Sequence, residues 1–145
     1  MGFLKDFLKF IFVDEKKEAQ REIGRKFVGD KYELQIGAYY KKQGYKIFYN
    51  GLNKGKKDGG IDLICYKRKE ALLIQCKNWR KQVNQDNIRK FIGDCYIHIR
   101  KNERYLKNKN IRKIFVSSNG NLSIATRLFL RDNKNEVEFK HIEYK

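Results

Sequence analysis

Two apolar runs, "IDLICYK" (61–67) and "ALLIQCK" (71–77), lie on either side of a charged "RKE". Each is too short for a buried helix and is rich in residues that suit a pleated sheet, so each reads as a strand. The tight connection makes them an antiparallel hairpin. A hairpin this apolar on both faces has to sit inside a sheet covered on both sides. The flanking sequence supplies the rest. "YKIFYN", "KIFVSS" and "VEFKHIEY" read as further strands. From Asn84 the period changes, and Ile88, Phe91, Ile92, Cys95 and Ile99 mark an amphipathic helix from 85 to about 104. "LSIATRLFLRD" reads as another helix. A helix beginning at Asp30 runs through "KYELQIGAYYKKQ" to Gly44, a C′ glycine. The charged stretch "DEKKEAQREIGRKFVGD" reads as an earlier helix, and "GLNKGKKDGG" as a turn-rich loop. The predicted order, α-α-β-β-β-α-β-α-β, starts with hairpins and continues with β-α-β crossovers. It implies an α/β fold, one mixed β-sheet with helices on both faces.

A chain of 145 residues without proline, internal repeat or linker fits one domain with a real core. Its charge is unusual: 34 Lys+Arg against 17 Asp+Glu gives +17. Self-repulsion on that scale calls for a polyanionic partner, and nucleic acid fits best because counterion release favours a broad basic surface. Cys65, Cys76 and Cys95 fall at apolar positions without metal-ligand spacing, so they read as buried hydrophobes in a reducing, cytoplasmic compartment. His98 and His141 match no metal or triad pattern.

The N-terminal "MGFLKDFLKFIFV" is interrupted by Lys5, Asp6 and Lys9, too short and charged to span a bilayer. It has no small-residue cleavage site and fails the myristoylation pattern at Asp6. Phe3, Leu4, Phe7, Leu8, Ile11 and Phe12 form one helical stripe. The stripe is expected to pack on the domain or in a homodimer contact, with a membrane surface as the lesser alternative.

Along a strand, residues two apart share a face. Leu72, Ile74 and Cys76 point one way; Leu73, Gln75 and Lys77 point the other. In the preceding run Ile61, Leu63 and Cys65 are expected on one face, opposite Asp62 and Ile64. Hairpin pairing then brings Asp62 near Gln75 and Lys77 at one rim of the sheet. An exposed Asp62–Lys77 ion pair would contribute only about 0–1 kcal/mol, a weak reason for placing these groups there. A metal-assisted phosphodiester site gives each a task. Asp62 offers a hard oxygen ligand, Gln75 an amide oxygen to the same Mg²⁺, and Lys77 can orient or deprotonate the attacking water. Gly59 and Gly60 leave room for DNA beside Asp62, whereas Asp58 reads as a turn residue. Lys54, Lys56 and Lys57 in the loop, and Arg80 and Lys81 past the strand end, are placed either to grip a phosphate backbone or to form a solvated basic surface.

The pieces "GYKIFYN", "DGGIDLICYK", "LLIQCKNW" and "IFVSSNGNLSIATRL" resemble the catalytic core of Mrr-type restriction endonucleases, within the PD-(D/E)xK nuclease superfamily. The resemblance covers roughly residues 30 to 143. It implies a restriction-endonuclease-like fold and Mg²⁺-dependent hydrolysis of DNA, with Mn²⁺ able to substitute, leaving 5′-phosphate and 3′-hydroxyl ends. By position, Asp62 resembles the metal-binding aspartate and Lys77 the catalytic lysine. Gln75 stands where other branches carry Glu or Asp, and the Cys76 backbone carbonyl is an implied metal ligand. Glu33 resembles the helical acid that completes the site, directly or through a water. A rival role for Glu33 is a capping box, "DKYE", with Asp30 as N-cap. The implied division is an N-terminal helix over 1–29 and a catalytic domain over 30–145. Many such enzymes carry an additional DNA-recognition domain for which residues 1–29 are too few, so selection of methylated sites is not expected. A non-cleaving nucleic-acid-binding module and a Holliday-junction-resolvase-like nuclease are the alternatives.

Overall fold

The computed structural model describes residues 30–54 and 59–145, with Lys17 and Gln20 also placed as helical. The N-terminal apolar stripe and the expected loop residues Lys56, Lys57 and Asp58 lie outside the described residues, as does the side chain of Lys54. The first helix, α1, is described over residues 30–42 and closes at Gly44. Asp30 lies within the helix. The chain continues through β1 (Lys46–Phe48), α2 (Asn50–Lys54), β2 (Leu63–Lys67) and β3 (Glu70–Lys77). Then come α3 (Gln85–Lys101), α4 (Glu103–Leu106), β4 (Asn110–Ser117), α5 (Ile124–Asp132) and β5 (Glu138–His141).

The strands form one sheet in chain order, β1-β2-β3-β4-β5. β1, β2 and β3 are antiparallel neighbours, whereas β3, β4 and β5 run parallel. This is the mixed sheet the sequence predicts. The β2–β3 hairpin pairs Lys67 with Glu70 and turns at Arg68, whose φ is 55°. α3 starts from a reciprocal cap in which the side chains of Asn84 and Asn87 each accept the other's amide, at 3.2 Å. Ser123 caps α5 through the Thr126 amide.

Alternation along β3 divides the core in two. Leu72, Ile74 and Cys76 join Leu63 and Cys65 under Tyr32, Ile36 and Tyr40 of α1. Leu73 joins Ile64 and Phe115 under Ile88, Phe91 and Cys95 of α3. Burial of these side chains is the main stabilising contribution, at about 25 cal/mol per Å² of apolar surface. Across the sheet, Arg112 of β4 binds Glu138 of β5 through Nε and Nη2 at 2.8 and 2.7 Å, and Glu70 of β3 through Nη1 at 2.9 Å.

Two differences from the predicted pattern affect the site. The stretch expected as a loop contains α2, and the expected strand start at Ile61 is displaced to Leu63. Asn50 Nδ2 donates to the Ile61 carbonyl at 2.7 Å, and the Gly51 amide donates to the Asp62 carbonyl at 2.9 Å. Residues 61 and 62 are thereby held outside the regular ladder. Ile61 consequently packs in the α3-side core with Ile64, not with Leu63 and Cys65 on the α1 side as alternation predicts.

Candidate active site

Glu33 follows the buried Tyr32 on α1, and its Oε2 is closed off from solvent. Its carboxylate reaches the start of α2. A Cβ placed on Gly51 would lie 2.8 Å from Glu33 Oε2 and 3.2 Å from Oε1, and 3.1 Å from Asp62 Oδ1. Two carboxylates from distant parts of the chain therefore converge on one glycine, and any side chain at residue 51 would push them aside. Asp62 is only 8% exposed. Its Oδ2 accepts the Cys76 amide at 2.8 Å, while its own amide donates to the Ile74 carbonyl at 2.9 Å.

That anchor also orients β3. The amide and carbonyl of one residue in a strand point the same way, so the Cys76 carbonyl faces the Asp62 side. The Lys77 carbonyl turns the other way and accepts the Ser118 amide at 3.0 Å. Gln75 and Lys77 flank Cys76 on the strand face of Leu73. Gln75 is 7% exposed beside Phe115 of β4. Lys77 is partly exposed, with Nζ 5.0 Å from the centre of the Trp79 ring. The Cys76 thiol registers the surrounding charge: burial pushes its pKa up, the Asp62 and Glu33 carboxylates push it further, and Lys77 opposes them.

Among the described residues no group of three or more His, Cys, Asp and Glu side chains is placed to hold a metal. Two carboxylates meet at Gly51, and the Cys76 carbonyl faces the Asp62 side. These are hard oxygen donors. The convergence on Gly51 brings the Glu33 and Asp62 carboxylates to one place in the fold.

Past β3, Arg80 and Lys81 are exposed, and Asn119 Nδ2 donates to both their carbonyls, at 2.8 and 2.9 Å. Ser118 Oγ donates to Asn78 Oδ1 at 2.6 Å. On the other side of the acids, Gly59 and Gly60 carry φ of +66° and +81°. Gly60 lies against Asp94 of α3.

A model of the restriction endonuclease catalytic family, Mrr_cat, matches residues 24–141. The chain belongs to that family. No curated protein and no solved structure matches it. The match takes in β1 to β5 and every expected site residue from Glu33 to Lys81. In this Mrr_cat chain the elements that build the acidic half include residues with no functional signal in the sequence pattern. Asn50 reads as the end of a strand and Gly51 as the start of a loop because a helix as short as α2 has no visible period. Asn119 gave no signal beyond a small polar turn, since its role depends on a strand crossover.

Proposed function

We propose that this restriction-type nuclease is a metal-dependent endonuclease hydrolysing DNA phosphodiesters. The observation that carries the reading is the convergence of Glu33 and Asp62 on Gly51, with Asp62 fastened to the Cys76 amide. Asp62, Gln75 and the Cys76 carbonyl would hold Mg²⁺ or Mn²⁺, with Glu33 directly or through a water. When bound, the ion would supply Lewis-acid polarisation of the phosphate and a more acidic water.

The chain's own residues account for the remaining chemistry. The Cys76 amide fixes the rotation of the Asp62 carboxylate, so Oδ1 is presented on the side of Glu33. Lys77 orients the attacking water and offsets negative charge as it builds on the phosphorane. Water adds to phosphorus, the P–O3′ bond breaks, and the strand is left with a 5′-phosphate and a 3′-hydroxyl. Arg80 and Lys81, with Lys54, Lys56 and Lys57, hold the phosphate backbone without reading bases. Cleavage of both strands would call for a second copy of the chain. Among the described residues no helix is long and apolar enough to cross a membrane.

The test is a panel of plasmid, linear, methylated and branched DNA with Mg²⁺, Mn²⁺ or EDTA. Cleavage that needs the metal and vanishes in Asp62→Ala and Lys77→Ala, both still binding DNA, supports the reading. Binding without cleavage under every metal condition would replace it with a non-cleaving module. Cleavage restricted to branched DNA would make it structure-specific.

A further inference from the structure

Two of the basic groups assigned to the nuclease site lie over the ring of Trp79. Lys81 Nζ lies 4.3 Å from the ring centre, and Lys77 Nζ lies 5.0 Å from it. The ring is firmly held. It packs against the α3-side core. The backbone around it is fixed by the Ser118 amide on the Lys77 carbonyl and by Asn119 on the carbonyls of Arg80 and Lys81. Asn119 is itself fixed: its amide donates to Ser117 Oγ at 3.1 Å, and its Oδ1 accepts the Asn121 amide at 2.9 Å.

Two ammonium groups near one ring repel each other, and each carries a flexible stem that costs entropy to order. The negative face of an indole offsets both costs more strongly than any other side-chain ring. We propose that Trp79 is a positioning residue for Lys77 and Lys81: a fixed aromatic plate that keeps both ammonium groups at the site until DNA phosphate takes over as their counter-charge. Charge-assisted contact with phosphate is stronger than contact with a ring, so the transfer runs toward DNA. The catalytic consequence rests on the nuclease reading; the lysine–ring contacts do not.

Trp79 is the only tryptophan in the chain, so the emission of the full-length protein reports on this ring alone. In a first arm, Trp79→Leu keeps an apolar side chain without a π face, and Trp79→Phe keeps the face. Trp79→Leu should lower kcat on plasmid about three- to tenfold, with a smaller change in KM, and Trp79→Phe should recover most of the loss. Equal losses in both variants, or no loss in Trp79→Leu, would overturn the positioning role. A second arm does not depend on cleavage. Lys77→Met and Lys81→Met should each shift the emission of the unbound protein. Duplex DNA in EDTA should produce a saturable emission change that disappears in the double variant. Emission indifferent to both lysine substitutions would overturn the contact even in a protein that cuts DNA. Where the wild type cuts nothing, the nuclease reading fails and this second arm alone judges the plate.

Discussion

Asp62 and Cys76 are joined across the mouth of the β2–β3 hairpin, with Asp62 Oδ2 accepting the Cys76 amide at 2.8 Å. The bond sits where β2 has not yet begun and β3 is about to end. A buried carboxylate thereby satisfies a backbone donor that the ladder leaves over, and the same bond sets the direction of its other oxygen.

Asp62→Asn keeps an oxygen for the Cys76 amide and deletes the charge, whereas Asp62→Ala also strands the amide. Both should reduce cleavage by about a hundredfold or more. Only the alanine variant should lose stability, by about 1–3 kcal/mol. Parallel cleavage rates and urea midpoints check this. Equal destabilisation in both variants would place the value of Asp62 in its charge and not in the bond.

Gly51→Ala places a methyl group within 3.2 Å of three carboxylate oxygens. The acids must move apart, so the Mg²⁺ concentration for half-maximal cleavage should rise about tenfold or more. A crowded core costs about 1–3 kcal/mol, which leaves a folded protein to assay. An unchanged Mg²⁺ titration would show that the two acids do not share an ion.

Hydrogen bonds from Arg112 hold the carboxyls of Glu70 and Glu138 below their usual range. A depressed carboxylate stabilises the fold in full above its unfolded pKa, near 4.5, and loses that contribution as pH falls through the lower folded value. Stability from this source should be flat between pH 7 and 5.5 and decline below about 4.5. Arg112→Met should flatten that acid slope. Urea midpoints across the range measure it.

Burial pushes the Cys65 and Cys95 thiols up to about 12, and burial together with the Asp62 and Glu33 charges raises Cys76. Reactivity follows the thiolate, so all three should resist iodoacetamide at pH 8 in the native protein and react in guanidinium. Mass spectrometry counts the adducts. Rapid native labelling of Cys76 would mean that the Asp62–Cys76 closure opens readily.

The parts of this architecture visible beforehand were those written as local patterns. Leu72 through Lys77 alternate as a strand must, and the helix around Ile88, Phe91 and Cys95 follows its period. The spacing from Asp62 to Gln75 and Lys77 was visible because one hairpin carries all three. The misreading of Ile61 has a definite cause: Asn50 and Gly51 bind residues 61 and 62 from outside the sheet, and alternation cannot anticipate a partner in another element. Glu33 was suggested by resemblance, but its meeting with Asp62 depends on how α1 lies against α2. Trp79 has no local pattern that gives it a role, since its lysine neighbours gain meaning only when Ser118 and Asn119 fix the turn.

The sheet's strict chain order has a consequence for how the protein comes into being. Glu33, Gly51, Asp62 and Cys76 all precede Lys77, so the anionic half is complete before β4 has been made. The hydrogen bonds that hold the 78–81 segment come from Ser118 and Asn119, about 40 residues later. Contacts that close short stretches of chain form sooner than those closing long ones. A newly synthesised molecule would thus gather its acids first and acquire a firm hold on a polyanion only when the crossover docks, a sequence of events that delays tight nucleic-acid capture until folding is nearly finished.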